Sequence, residues 1–492
     1  MTRSRGAQPC GQALSATRLH SLRGSSLPPP VLAILAGMMP PHPKEAFRNT
    51  PLVHVLVINW NGIEHLAECF DSLLAQTYPN ARYFLVDNAS DDGSVEYVRE
   101  RYGADPRVEV LECPRNLGWS GGNNVGIQHA LDTGADYVML LNNDTATAPD
   151  ALEKLIDLAE SRPEVGALAP KMLLYDNPDI LNSVGLTCSL IGSSGDIGIG
   201  RLDAPRWNVQ QPVVGVCGGA CLLRAEALRK AGLLPENFGI YLDDLDLCLR
   251  IWNAGYTIRS CPAARVRHKF GATMEQGRQS ALKYYLNTRN RMYLLLRNVP
   301  LSRAGIVLPA FCLGEARAVG RALLNGESWR AVAHARAWAA ALAYIPRALR
   351  ERKARRQTGI ARCRFWALVR RRPLFFDGRE LPEHGWYAER DVGGERLRPI
   401  ARHASLDIEA SRLSVVLVNC YPALGAAQVE VRVNGEPLAT LDTCARDEAI
   451  IDVPAGQLEF VARRIFYAED TGKPIDIGGW LRVQKVQHEH EH

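Results

Sequence analysis

The sequence predicts an α/β domain with a mostly parallel central sheet, followed by a basic helical segment and a C-terminal all-β sandwich. Three observations carry this prediction: apolar runs alternating with helical periodicity from Val53 to Ala159, a basic Ala/Leu/Arg-rich stretch over 301–372, and period-two alternation after about Leu374. A chain of 492 residues is too long for one ordinary core, so two or three domains are expected.

Val53–Ile58 is a continuous apolar run suited to a buried parallel strand. Ile63, Leu66, Ala67, Phe70, Leu73 and Leu74 then share one helical face, and Tyr78-Pro79-Asn80 ends that helix. Tyr83–Val86, Val108–Leu111 and Tyr137–Leu141 read as further strands, with helices over Asp92–Arg101 and Asn123–Leu131 between them. Pro149–Ala159 opens a helix with proline near its first turn, where the missing N–H does no harm. Such alternation builds a mostly parallel sheet covered on both faces, with ligands beyond the carboxyl ends of the strands. The polar clusters fall at those ends: Asn59-Trp60-Asn61-Gly62, Asp87-Asn88-Ala89-Ser90 and Asn142-Asn143-Asp144.

The 301–372 stretch contains Trp329, Trp338 and Trp366, and from Arg347 to Arg372 Glu351 is its only acid. Amphipathic helices are expected, either lying on an anionic membrane surface or packing as a solvated pair on the first domain. Further on, Val429–Val433 alternates, Asn434-Gly435 follows, and Pro437–Leu441 continues, the strongest short signal for a hairpin. Leu413–Val418, Ala449–Val453, Leu458–Ile465 and Trp480–Val486 add strands, so a separate β-sandwich is expected.

Apolar residues make up 47% and charged residues 23%, as in an ordinary globular protein, and a net charge of +5 makes no case for nucleic acid. The 12 cysteines include no CxxC pair, which fits a reducing cytoplasm. Cys217 and Cys221 read as small buried hydrophobes rather than zinc ligands. No apolar run reaches the ~18–20 residues of a spanning helix. Val31–Met39 is short enough for a signal-peptide core, but residues 1–50 read better as a disordered leader or an early start, with Met38 or Met39 as the alternative.

Several clusters carry possible chemistry. Asp87, ending a buried strand, can accept the imino N–H of a uracil or thymine ring, whereas Asp91 or Asp92 suits a helix cap. Arg115–Asn123 is a glycine-rich loop that would let backbone approach a ligand, though it lacks the P-loop ending. Asp144, leaving a strand, can bind a hard divalent cation, or simply form a turn. Asp243, Asp244 and Asp246 open a helix whose buried stripe is Leu245, Leu249 and Trp252. One acid would satisfy a cap, and Asp244 can serve as general base. His268 is by itself uninformative.

The ordered set resembles glycosyltransferase family 2, with its GT-A fold, nearest the rhamnosyltransferase and galactofuranosyltransferase-like branch. The matching residues are Val57–Gly62, Val86–Ser90, Asn116–Asn123, Leu140–Thr145, Gly218–Leu222, Tyr241–Leu247 and His268, spanning about residues 52–300. The resemblance implies an enzyme that transfers a sugar from a nucleotide-diphosphate donor to a glycan or lipid-linked acceptor, with inversion and with Mn2+ or Mg2+ as cofactor. It implies nucleotide contacts from Asn59, Asn61, Asp87, Asn88, Asn116, Gly121, Asn123 and Asn143. Asp144 looks like the end of the family's Asp-x-Asp metal motif, with Asn142 in the first position, and His268 like an additional metal ligand. Asp244 matches the catalytic acid of the Glu-Asp motif, with Asp243 in place of Glu. Gly218, Gly219 and the apolar residues after them, together with Asp243, look like the acceptor side; Trp119 and Trp252 could stack on sugar, although the core is the better place for Trp252. Rhamnose from its thymidine-diphosphate donor is the first expectation for the sugar.

The expected organisation is a leader over 1–50, a GT-A catalytic domain over 51–300, a basic helical segment over 301–373, a β-sandwich over 374–487 and a His/Glu tail over 488–492. The expected location is the cytoplasm, with peripheral contact at the inner face of an anionic plasma membrane as a further reading. Two alternatives stand beside the transferase. A sugar-phosphate nucleotidyltransferase would need a Lys/Arg-bearing phosphate signature near the first strand, which Asn59–Gly62 lacks. A non-catalytic carbohydrate-binding scaffold would not need Asp144, Asp244 and His268 together.

Overall fold

The computed structural model describes residues 50–269, 281–299, 301–356, 387, 390–392, 395–421, 424–463, 465 and 478–485. The expectations for the 1–49 leader, for the basic residues 357–372 and for the 488–492 tail lie outside the described residues. The first elements alternate as the apolar runs require: β1 Val53–Asn59, α1 Ile63–Leu74, β2 Ala81–Asp87, α2 Ser94–Tyr102, β3 Val108–Glu112, α3 Gly118–Asp132 and β4 Tyr137–Asn142. A short strand, β5 Thr145–Thr147, precedes α4 Ala151–Ser161 and the ten-residue β6 Val165–Leu174. Then come β7 Leu181–Ser183, β8 Leu186–Cys188, β9 Ser194–Asp196, β10 Ala220–Arg224, α5 Ala225–Ala231, α6 Asp243–Asn253 and β11 Thr257–His268.

One sheet runs β3-β2-β1-β4-β10-β6-β11-β5, with β7 beside β6. The pairs β3/β2, β2/β1, β1/β4 and β6/β11 are parallel, while β10 is antiparallel to both neighbours and β5 is antiparallel to β11. The class is therefore the expected mostly parallel α/β sheet. Every residue of β1 is buried, as a strand covered on both faces must be. One face packs Leu66, Phe70 and Leu73 of α1 with Val53, Val55 and Val57. The other packs Leu56, Ile58 and Phe84 with Ile127 of α3.

The glycine-rich segment differs from its expectation. Helix α3 begins at Gly118, so Gly121 and Gly122 lie in its first turns rather than in a loop. A Cβ on Gly126 would stand 2.8 Å from Leu56 Cδ1 and 2.9 Å from Val86 Cγ2. The glycines of α3 therefore let a helix close on the sheet.

Three helices follow: α7 Ala281–Asn298, α8 Leu301–Leu324 and α9 Ser328–Arg356. Arg352 of α9 donates to the carbonyls of Leu296 and Val299 at the end of α7. A buried cluster joins the three, in which Glu315 of α8 accepts from Arg291 of α7 and meets Nδ1 of His334 of α9 at 2.7 Å. Among the described residues no helix is long and apolar enough to cross a membrane.

The remaining strands are β12 Arg390–Val392, β13 Glu395–Ile400, β14 His403–Ile408, β15 Ser411–Val418, β16 Ala427–Val433, β17 Glu436–Thr443, β18 Arg446–Val453, β19 Gly456–Ala462 and β20 Gly479–Lys485. They form two sheets, β12-β13-β20-β15-β18 and β14-β19-β16-β17. Leu413, Val415 and Leu417 of one share a core with Val429, Val431 and Phe460 of the other. Asn434 and Gly435 join β16 to β17 with φ of 50° and 86°, the doubly left-handed turn that Asn-Gly favours. These sheets also meet the first domain, because Tyr387, Leu397, Ala401 and Trp480 bury Leu174, Ile180 and Leu202 in one cluster.

Candidate active site

Sheet register brings the separated motifs to one edge. Asn59 lies opposite Asp87, and Ile58 opposite Asn142. β10 begins beside the end of β4, where Asn142 N–H donates to the Gly219 carbonyl at 2.9 Å. His268 pairs with Thr145 in the β11/β5 ladder, which sets it next to Asp144. His268 Nε2 stands 3.2 Å from Asp144 Oδ1, and both residues are buried.

The chemistry of this pair is constrained. His268 Nδ1 lies 2.8 Å from Asn182 Oδ1 on β7, a contact that fixes the orientation of the ring. Nε2 on the other side of the ring is thereby turned toward the Asp144 carboxylate. Asp144 Oδ1 is buried and has no hydrogen-bond partner among the described residues. Burial opposes ionisation of Asp144, yet the facing imidazole, with His65 adding, holds its carboxyl below the ordinary aspartate value. Two hard or borderline ligands, one backed by an amide, fit a divalent ion with further positions open to phosphate oxygens. Among the described residues no group of three or more His, Cys, Asp or Glu could hold a metal, so most of the coordination would come from substrate and water.

Gly218 and Gly219 bridge this pair to the acids of α6. A Cβ on Gly219 would lie 3.5 Å from His268 Cε1 and 3.5 Å from Asn142 Nδ2. Gly218 N–H donates to Asp244 Oδ2 at 3.1 Å, and Leu245 N–H donates to Asp244 Oδ1 at 2.7 Å. Trp119 lies over Gly218, with its Cζ2 2.6 Å from where a Cβ would stand, and its Nε1 donates to Asn142 Oδ1 at 3.2 Å. Asp144, His268, Gly218, Gly219 and Asp244 thus surround one locus.

The two adjacent acids differ. Asp243 is buried and accepts from Ser120 Oγ, while Asp244 is half-buried. Burial, then the charge of Asp244, pushes Asp243 up to about 7. Burial also raises Asp244. The loop leading to them is strained: Tyr241 and Leu242 have φ of 74° and 64°, which bulky residues rarely adopt. Asn290 of α7 holds that loop, donating to the carbonyls of Phe238, Ile240 and Tyr241 at 2.8–3.0 Å. The third acid, Asp246, is not part of the site. It is buried on another face of α6, where Arg250, Arg297 and Asn298 donate to it.

The proposed nucleotide-side residues form a second network. Asp87 Oδ2 accepts from Ser90 N–H at 2.9 Å, and Oδ1 from Ser90 Oγ at 2.6 Å and Asn59 Nδ2 at 3.2 Å. Asn143 Nδ2 donates to Asn59 Oδ1 at 2.6 Å. Asn61 exchanges hydrogen bonds with Asp91. Asn88 donates to Asn116 Oδ1 at 2.9 Å and accepts from Leu117 N–H. Asp92 satisfies the Ile63 N–H of α1 at 2.9 Å and that of Ser94, the capping expected of Asp91 or Asp92. Asn123 Nδ2 donates to the Trp119 carbonyl at 2.9 Å.

Two expectations are corrected. Gly121 is buried inside α3, and a Cβ there would meet Leu117 Cβ at 2.7 Å, so its lack of a side chain makes room for protein and not for a ligand. The residues after Gly219 are the buried interior of β10 and line nothing open. Trp252 is core, as its place in the buried stripe of α6 predicts, its Nε1 donating to the Val214 carbonyl at 2.9 Å.

Asp196, at the end of β9, carried no sequence signal. Its Oδ1 is buried without a hydrogen-bond partner among the described residues. Burial, with the charge of Asp244 contributing, pushes it up to about 6, while Ser183, His268 and Cys217 act in the opposite sense. It lies near enough to Asp244 and His268 for their charges to act on it.

The sheet edge thus carries a carboxylate–imidazole pair beside the Asp243-Asp244 step. Residues 54–231 match the profile described as Glycosyl transferase family 2. The N-acetylglucosaminyl-diphospho-decaprenol L-rhamnosyltransferase of Mycobacterium tuberculosis is 29% identical over 241 residues, covering 44% of this chain and 76% of that protein. The low-salt glycan biosynthesis hexosyltransferase Agl10 of Haloferax volcanii is 22% identical, covering 48% and 73%. A Sinorhizobium fredii protein, y4gI, is 29% identical over 236 residues, and the chain spans only 25% of its length. Among solved structures, GalNAc-T7 with UDP, GalNAc and Mn2+ overlaps with a TM-score of 0.41 at 16% identity, over 51% of this chain and 48% of that one.

Proposed function

We propose that the chain is an inverting, metal-assisted glycosyltransferase in which Asp244 is the general base. The observation that supports this best is the convergence of the Asp144–His268 pair and Asp244 on Gly218 and Gly219. Asp144 and His268 would hold a divalent ion, which when bound neutralises the departing diphosphate as a Lewis acid. The hydrogen-bonded residues Asn59, Asp87, Asn88 and Asn143 shape the base and ribose side, and Asn61 and Asn116 fix the loops around it. Asp244 takes the proton of the acceptor hydroxyl as that oxygen attacks the anomeric carbon, and the two backbone N–H groups orient the carboxylate for this role. Burial raises both carboxyls of the step, and the two backbone donors on Asp244 favour its ionised form. Asp196 offers its unpartnered oxygen to a hydroxyl of the sugar in transit.

Rhamnose is the sugar this reading favours, and a lipid-linked saccharide or cell-surface glycan the acceptor, on the strength of the mycobacterial relative's name. The free cysteines fit the cytoplasmic side. The test is a diphosphate-release screen across nucleotide sugars with manganese, followed by assignment of the product anomer. Release that depends on one donor, with an inverted product, is the expected result. No release from any nucleotide sugar, or a retained anomer, would overturn the reading.

A further inference from the structure

Helix α8 has two apolar faces, and among the described residues only one is used by the fold. Val307, Phe311 and Ala322 are buried, with Glu315 among them. On the other side Ile306, Leu308, Leu313, Leu323 and Leu324 are between 51% and 90% exposed. At ~100° per residue, the side chains of Leu308, Cys312, Leu323, Ala316, Pro309, Leu313, Ile306 and Leu324 sweep an arc of roughly 160°. Arg317, Arg303 and Arg321 all fall in the next roughly 60°. The only acid of the helix, Glu315, is buried against Arg291 and His334, so no carboxylate interrupts the outer face.

We propose that this face of α8 lies in the interfacial layer of an anionic lipid bilayer, with the aliphatic side chains among the upper acyl chains and the arginines at headgroup level. A contiguous exposed apolar surface marks an interaction site. Arginines gathered along one border of it are the arrangement in which a helix lies flat, since the stems cover apolar surface while the guanidinium groups reach phosphate. A helix of 24 residues presents this surface over about 36 Å, and it is not apolar enough to cross. Arg317 and Arg321 make no ion pair among the described residues, so their charge is available to headgroups. The denser basic run of α9 is less suited. Arg347 is paired with Glu351, and Arg352 donates to the Leu296 and Val299 carbonyls. This inference goes beyond the transferase reading and does not depend on it, because docking requires no turnover.

The test is flotation of the full chain with phosphatidylcholine vesicles, with and without phosphatidylglycerol, at low and high salt. The wild type should float with the phosphatidylglycerol vesicles and less with phosphatidylcholine alone. The triple variant Ile306→Ser, Leu313→Ser, Leu324→Ser should stay at the bottom of the gradient under all conditions, with an unchanged unfolding midpoint because the residues are exposed. Arg317→Gln with Arg321→Gln should lose the preference for phosphatidylglycerol and the salt sensitivity while keeping residual binding. A wild type that never floats, or serine variants that float as it does, overturns the proposal. Sedimentation of the vesicle-free protein provides the second arm. A dimer that the serine substitutions dissociate would assign the face to a second copy of the chain and overturn the lipid assignment.

Discussion

Replacing Asp244 by asparagine preserves the side chain's shape and removes its charge, but the structure shows that it changes more than that. The two carboxylate oxygens accept separate backbone donors, Gly218 N–H at 3.1 Å and Leu245 N–H at 2.7 Å. An amide can accept at one position only, so its NH2 group must face one of these donors. Losing a hydrogen bond to a charged acceptor costs about 1.5–3 kcal/mol. A second effect opposes this, because burial already raises the Asp244 carboxyl, and a neutral amide removes a charge that the fold holds at a cost. The net change in unfolding free energy should therefore stay within about 2 kcal/mol. Turnover has no such compensation. Loss of the base should lower kcat by ~10²–10⁴, or about 2.7–5.5 kcal/mol of transition-state stabilisation. The assay combines steady-state diphosphate release, urea unfolding, and calorimetric titration with nucleoside diphosphate and manganese. The expected result is the rate loss with nucleotide affinity unchanged. A folded variant with near wild-type turnover refutes the general-base assignment.

Excess chelator should abolish transfer and manganese or magnesium should restore it, whereas His268→Ala should weaken the restoration by raising the metal concentration required; activity undiminished in chelator removes the metal from the reaction. Asn290→Ala should release the strained Tyr241-Leu242 step and lower kcat by ~10² through misplacement of Asp244, with little change in donor KM; an unchanged kcat would show that the loop holds itself. Asp243, raised to about 7, binds its proton more tightly in the folded state than in the unfolded chain, where an aspartate titrates near 3.9. Its contribution to stability is thus complete below the unfolded value and declines as pH rises through about 7. Asp243→Asn should flatten that decline in denaturant titrations across this window, and an identical pH slope in the variant would contradict the raised value.

The parallel strands were legible because a strand buried on both faces needs an uninterrupted apolar run, and Val53–Ile58 and Tyr137–Leu141 provide one. The hairpin at Asn434-Gly435 was legible for a local reason too, since few pairs of residues tolerate two positive φ values. What escaped was non-local. Asn182, which orients the ring of His268, lies 86 residues from it, and Asn290 lies 49 residues from Tyr241; neither sits in a recognisable pattern. Asp246 reads as a neighbour of Asp244, yet helical rotation turns it toward Arg250 and Arg297. Gly121 reads as a place for a ligand to approach, and the structure fills that place with Leu117. Glycine records that something comes close, and only the fold says what.

The contact of the all-β sheets with Leu174, Ile180 and Leu202 has a consequence for how the chain can be dissected. The segment between Leu174 and Leu202 carries Asn182, Ser183 and Asp196 on the reaction side and is roofed on the other by Tyr387 and Trp480. A fragment truncated after the helices would wet that apolar roof line and slacken the backing of the imidazole, so a weak excised domain would report lost scaffolding and not an intrinsically poor enzyme.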